Sequence, residues 1–83
     1  MKTNAGYEII MEMSDEWNDG ANGVALGFME KSFGPEWVTW EWTQFPNEKP
    51  SYFWGHYFSD KNKAMKDYYE RCAKHFDRMG SFV

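Results

Sequence analysis

The apolar residues of this 83-residue chain change their spacing once, close to Ser59. Before that point they recur at every second position in several short runs, which is the spacing of strands with one buried face. After it they recur at every third and fourth position, which is the spacing of an amphipathic helix. The chain is therefore expected to form a sheet first and to cover it with one C-terminal helix.

The alternating runs predict four strands. Their expected bounds are about residues 6–13, 23–31, 36–45 and 52–58. The segment SDEWNDGANG between the first two contains Asp-Gly and Asn-Gly pairs, which predict a turn region. Short connections between successive strands indicate an antiparallel meander. The predicted fold is α+β, with a four-stranded antiparallel sheet and one helix packed on one face, in a single domain of residues 1–83.

The predicted helix runs from about residue 60 to 79, with Ser59 or Asp60 as its N-cap. Cys72 lies within its apolar stripe and is expected to be buried and inert, whereas His75 is expected at the polar edge. The expected stripe consists of Ala64, Met65, Tyr68, Tyr69, Cys72, Ala73, Phe76 and Met79.

The segment EWVTWEWTQF contains three tryptophans within six positions. In a strand, Val38, Trp40 and Trp42 share one face, and Trp37 lies on the other with Thr39, Glu41 and Thr43. Trp40 and Trp42 are expected to be core residues under the helix, facing Phe53 or Trp54 on the next strand. Trp37 is then expected to be exposed. Likewise, the first strand is expected to place Tyr7, Ile9, Met11 and Met13 on one face.

Composition excludes several classes of protein. A single cysteine allows no intrachain disulfide, and no segment approaches the length of a membrane span, so a cytoplasmic protein is expected. The net charge is −4, and the acidic excess lies before Asp60, where nine acids stand against three lysines. An acidic surface repels phosphate backbones, so direct binding of nucleic acid is not expected.

The sequence contains no convincing catalytic or metal-binding motif, and we expect neither enzymatic activity nor a cofactor. The loop DEWNDGANG fails as a calcium site because Trp17 and Leu26 stand where oxygen ligands are required. His56 could act as a base with Glu41 on the neighbouring strand, or simply hydrogen-bond a backbone group or a carboxylate.

Exposed aromatic residues beside acids favour a binding role, because indole rings attract cations and carboxylates pair with arginine. The expected partner is a protein with a basic surface. A glycan-binding or other small-ligand module that stacks its ligand on Trp37 and Trp54 is an alternative, as is a homodimer. The candidate binding residues are Trp17, Glu36, Trp37, Glu41, Trp54 and His56.

The stretches GYEII, WVTWEW and YFWGHYFSDKNKAMKDYYERC resemble small uncharacterised proteins of phages and integrative mobile elements of Gram-positive gut bacteria. The resemblance covers most of the chain, and DEWNDGANG departs from it. It implies a cytoplasmic accessory protein. Small acidic proteins from that source are often inhibitors of host defence nucleases, so the resemblance also implies an anti-CRISPR or anti-defence role.

Overall fold

The computed structural model describes residues 2–17 and 19–80, with the backbone alone for residues 78–80. Its elements are β1 (Thr3–Asn4), β2 (Tyr7–Trp17), β3 (Gly20–Lys31), β4 (Gly34–Gln44), β5 (Ser51–Phe58) and α1 (Lys61–Gly80). The strands form one antiparallel sheet in the order β1-β2-β3-β4-β5. The α+β meander with a C-terminal helix is confirmed, but the expected number of strands was wrong. The additional strand, β1, is only two residues long, and so short a segment leaves no periodic pattern.

The hairpin between β2 and β3 is longer than the sequence indicates. Asp15 pairs with Asn22 and Trp17 pairs with Gly20, so most of the segment expected as a turn region is paired strand. The preference of a residue for a strand depends strongly on its neighbours in the sheet. Here the partner strand outweighs the local turn preference of Asn and Gly.

A β-bulge at Ile10 changes which residues of β2 share a face. Ile9 pairs with Gly27 and Met11 pairs with Leu26, so Ile10 is an extra residue without a partner of its own. Tyr7 and Ile9 consequently pack on one face of the sheet, and Met11 and Met13 pack on the other. The expectation of one continuous face was therefore wrong, because strict alternation does not survive an inserted residue.

Helix α1 covers the face that carries Val24 and Leu26. Asp60 caps it, since its Oδ1 accepts hydrogen bonds from the backbone N–H groups of Asn62 and Lys63. The core between α1 and the sheet, which we call the helix-side core, consists of the buried residues Val24, Leu26, Ala64 and Tyr68. The side chains packed around it are those of Met11, Met13, Trp37, Phe58, Met65 and Cys72. Among the described residues, no helix is long and apolar enough to cross a membrane.

The buried stripe of α1 differs from the expected one. Ala64, Tyr68, Arg71 and His75 are buried, whereas the apolar Tyr69 and Phe76 are exposed. The expectation that His75 lies at the polar edge was wrong. Each of the two buried basic side chains lies beside an acidic residue of the sheet. Arg71 contacts Glu41, and His75 Nε2 lies 3.7 Å from Asp15 Oδ2.

Trp40 and Trp42 are buried, with 4 % of their surface exposed, but they lie on the face opposite the helix. The prediction that they pack under α1 was therefore wrong. The same face of β3 carries Ala21, Gly23, Ala25 and Gly27, and a side chain at Gly27 would collide with the ring of Trp40. These small residues form a trough in which the indole rings lie.

Other aromatic residues complete this second core on the helix-free face. Tyr7 packs edge-on against Trp40 at 5.7 Å between ring centroids, and Tyr52 does so at 5.5 Å. The ring of Trp40 therefore packs against the ring of Tyr52 on β5, and not against the rings of Phe53 or Trp54 as expected.

Candidate functional site

A cleft of about 240 Å³ opens where α1 meets β4 and β5. Its floor is polar, although it lies beside the helix-side core. The lining residues are Glu41, Trp54, His56, Asp67, Glu70, Arg71 and Lys74. The helix supplies Asp67, Glu70, Arg71 and Lys74 at spacings of three and four, which place them on neighbouring positions of one helix surface.

Asp67 is the centre of the cleft floor. Its Oδ2 accepts a hydrogen bond from the Thr39 hydroxyl and lies 3.0 Å from His56 Nδ1 and 3.2 Å from Arg71 Nε. Burial alone would raise the pKa of the Asp67 carboxyl. The hydrogen bonds from Thr39 and His56 and the charge of Arg71 outweigh burial, so the pKa is lowered and Asp67 stays ionised.

Arg71 ties the helix to two strands. Its side chain is only 8 % exposed, and its Nη1 lies 3.5 Å from Glu41 Oε2 on β4. Its Nη2 donates to the backbone carbonyl of Trp54 on β5. Thr39, Glu41, His56, Asp67 and Arg71 thus form one connected group, which we call the Asp67–Arg71 network.

Trp54 stands at the rim of the cleft in an unusual backbone conformation. On β5, Trp54 and Gly55 together oppose the single residue Trp40, which makes a second β-bulge. Trp54 has a φ of 55°, in the left-handed region that residues with a side chain rarely adopt. The bulge turns its carbonyl toward Arg71 and leaves its side chain 67 % exposed, with its ring edge-on to Phe53.

The structure brings together three of the six candidate binding residues, Glu41, Trp54 and His56, because all three line the cleft. Of the two roles predicted for His56, the structure shows a contact with a carboxylate, because His56 Nδ1 lies 3.0 Å from Asp67 Oδ2 on the helix. Glu41 contacts Arg71.

The other three candidates lie elsewhere. Trp17, at the end of β2, packs against Phe45 at 5.8 Å. Glu36 accepts a hydrogen bond from Tyr7 and pairs with Lys31 Nζ at 2.7 Å, and these contacts with Lys31 and Tyr7 lower its pKa. Trp37 was expected to be exposed, but it is half-buried in the helix-side core. It therefore does not form a stacking surface with Trp54.

Sequence reasoning missed Thr39, Asp67 and Arg71 as members of the site. Two signals were available: alternation places Thr39 beside Glu41 on one strand face, and Asp67 and Arg71 lie four apart on the helix. Nothing local to either element shows that these two faces meet. From the sequence alone, the polar residues of the strand are therefore predicted to face solvent.

The cleft presents an exposed indole, an imidazole and carboxylates, which are groups that bind donors and cations. Among the described residues, no group of three or more His, Cys, Asp or Glu side chains is placed to hold a metal ion.

Comparison of the chain with models of protein families, with curated proteins and with solved structures gave no match.

Proposed function

We propose that this chain is a non-enzymatic protein-binding module whose partner presents a basic surface, and that the cleft beside Trp54 is its binding site. We further propose that it acts as a mobile-element-encoded inhibitor of a nucleic-acid-handling enzyme, of the anti-CRISPR or anti-defence kind. The proposed site belongs to the folded chain alone and needs no cofactor.

The observation that carries the proposal is the exposed ring of Trp54. A left-handed backbone at a residue other than glycine costs about 1–3 kcal/mol, and such conformations cluster at functional sites. Here the network donor Arg71 holds that conformation, and the outcome is a large aromatic ring displayed beside carboxylates. Tryptophan is one of the residue types that contribute most of the binding free energy in many protein interfaces.

The charge of the chain supports a basic partner. Residues 1–59 carry nine acids and three lysines, a balance of −6, whereas the remaining residues carry six bases and four acids. The sheet, which forms most of the chain, is thus acidic. Complementary charge accelerates association with a basic surface and repels nucleic acid itself.

The inhibitory role rests on the resemblance to proteins of mobile elements together with this acidity. Enzymes that handle nucleic acids bind phosphate backbones through basic grooves. An acidic protein that occupies such a groove excludes the substrate. The proposed outcome of binding is therefore inhibition by competition.

The test is affinity capture of the tagged full-length chain from a nuclease-treated bacterial lysate, with three proteins compared side by side. Trp54→Ala removes the ring at the cleft. Phe33→Ala removes another exposed aromatic ring, one that does not line the cleft, and so serves as the matched control. We expect the wild type and Phe33→Ala to capture the same enzyme, and Trp54→Ala to lose most of it.

The captured enzyme is then assayed with and without the purified chain. Inhibition that the wild type produces and Trp54→Ala does not would support the full proposal. Capture that is equal for all three proteins would place the binding site elsewhere. Capture of no protein above an untagged control would contradict the binding function.

For a test of the electrostatic part of the proposal, Glu70 is a better residue to reverse in charge than Glu36 and Glu41, the acids that the sequence named as candidates. Glu36 pairs with Lys31, and Glu41 pairs with the buried Arg71, so reversing either would disturb the fold as well as the surface. Glu70 is exposed at the cleft rim, with only a 4.0 Å contact to Lys66.

A further inference from the structure

His56 presents a hydrogen-bond acceptor to the cleft. Asp67 is ionised and can only accept, so the ring proton of neutral His56 is assigned to Nδ1, which lies 3.0 Å from Asp67 Oδ2. The other ring nitrogen, Nε2, then carries a lone pair. The His56 side chain is 57 % exposed and lines the cleft, so this acceptor is accessible to a ligand.

Two of the three nitrogens of Arg71 donate hydrogen bonds within the protein, Nε to Asp67 and Nη2 to the Trp54 carbonyl. The third, Nη1, is buried without a hydrogen bond and lies 3.5 Å from Glu41 Oε2. Glu70 and Trp54, which are both exposed, line the cleft together with His56. Lys74 lines the cleft, and Lys66 Nζ lies 4.0 Å from Glu70 Oε1. Both lysines are exposed, and their flexible side chains can turn toward solvent.

Resting on the proposed function, we propose that this cleft receives a single arginine side chain of the partner. The guanidinium plane would lie on the ring of Trp54 and donate to His56 Nε2 and to the Glu70 carboxylate. Arginine fits better than lysine because its donors form a planar fork that can reach two acceptors while the plane stacks on an aromatic ring.

The experiment titrates Nα-acetyl-arginine amide into the ¹⁵N-labelled full-length chain and follows backbone and indole N–H resonances. Nα-acetyl-citrulline amide is the matched probe, since it has the same shape without the charge. At about pH 7.5 we expect saturable millimolar binding of the arginine probe, with shifts at Trp54, His56 and Glu70, and binding of the citrulline probe at least about tenfold weaker.

The role of His56 is measured at the same pH with His56→Gln, which keeps a side-chain acceptor, and with His56→Ala, which removes it. We expect His56→Gln to retain most of the wild-type affinity for the arginine probe and His56→Ala to lose several-fold. Equal binding of both probes, or absence of shifts at the cleft, would overturn the inference. Equal loss of affinity by both variants would overturn the role of His56 as an acceptor.

These outcomes are separate from those of the lysate capture. A chain that captures its partner through Trp54 but does not bind the arginine probe retains the proposed function and loses this inference. A chain that binds the probe but captures no partner retains the arginine site and loses the proposed function.

Discussion

At the scale of single residues, Trp54 combines an exposed ring with an unfavourable backbone. The ring contributes one edge-on contact with Phe53, and the carbonyl accepts from Arg71. The carbonyl does not depend on the side chain, so the ring can be removed without loss of the Arg71 bond. The backbone conformation and the exposed ring are thus separable by mutation.

Trp54→Gly is expected to be more stable than Trp54→Ala by about 1 kcal/mol, because glycine adopts positive φ without steric strain. At an ordinary strand position the order is reversed, since glycine is less stable than alanine by roughly 0.5–1 kcal/mol. The free energy of unfolding of both variants, from urea denaturation followed by circular dichroism, checks the sign. Greater stability of Trp54→Ala would contradict the left-handed conformation.

At the scale of elements, β3 decides how the two faces of the sheet are filled. One face of β3 carries Val24 and Leu26, which pack against the helix, and the other face carries a stripe of glycine and alanine. The rings of Trp40 and Trp42 occupy the space that this stripe leaves. Large residues on one strand and small residues on its neighbour thus make a core without a third layer.

Gly27→Ala is expected to destabilise the protein by about 1–3 kcal/mol through overpacking. The added Cβ would lie 2.8 Å from Trp40 Cζ3 and 3.1 Å from Tyr7 Cβ, and both rings are buried. The measurement is chemical unfolding followed by tryptophan fluorescence.

The control is Ser14→Thr, which adds one methyl group at an exposed position of β2 and should change stability by less than about 0.5 kcal/mol. A Gly27→Ala protein with wild-type stability would mean that the Trp40 ring does not lie over β3.

At the scale of the whole molecule, the Asp67–Arg71 network joins the two layers at the same place where the cleft opens. Arg71 is buried, and removal of its carboxylate partner would leave a guanidinium without full compensation. The network therefore stabilises the docking of α1 on the sheet and at the same time fixes His56 and Trp54 at the cleft. Residues of the proposed binding site therefore also stabilise the fold.

Asp67→Asn is expected to cost about 1–3 kcal/mol at neutral pH, because hydrogen bonds to a charged group are lost. The pKa of Asp67 is lowered by folding, so its contribution is present above the ordinary aspartate pKa of about 3.9 and is lost as the pH falls below it. The stability gap between the wild type and Asp67→Asn should therefore narrow in acid.

Unfolding free energies measured across this pH range check that prediction. Asp77→Asn is the matched control, because Asp77 is exposed and lies outside the network. Its free energy of unfolding should equal that of the wild type across the pH range. A gap for Asp67→Asn that stays constant down to acid pH would contradict the ionised network.

Much of the fold was predictable because it is encoded locally. Alternation identified the four long strands, and spacings of three and four identified the helix. Of the two expected caps, Ser59 and Asp60, the structure shows Asp60. The burial of Trp40 and Trp42 was also expected correctly. Of the candidate site, Glu41, Trp54 and His56 were named from the sequence and lie in one cleft.

The sequence by itself determined the type and order of the long elements, since the period of the apolar residues is a property of each segment alone. Only the tertiary structure decided which sheet face the helix covers and which polar residues meet. Alternation states which residues share a face, but the bulges at Ile10 and Trp54 reset it, and the choice of face depends on side-chain volumes across strands. The contact of His56 with Asp67 joins two elements whose local patterns carry no information about each other.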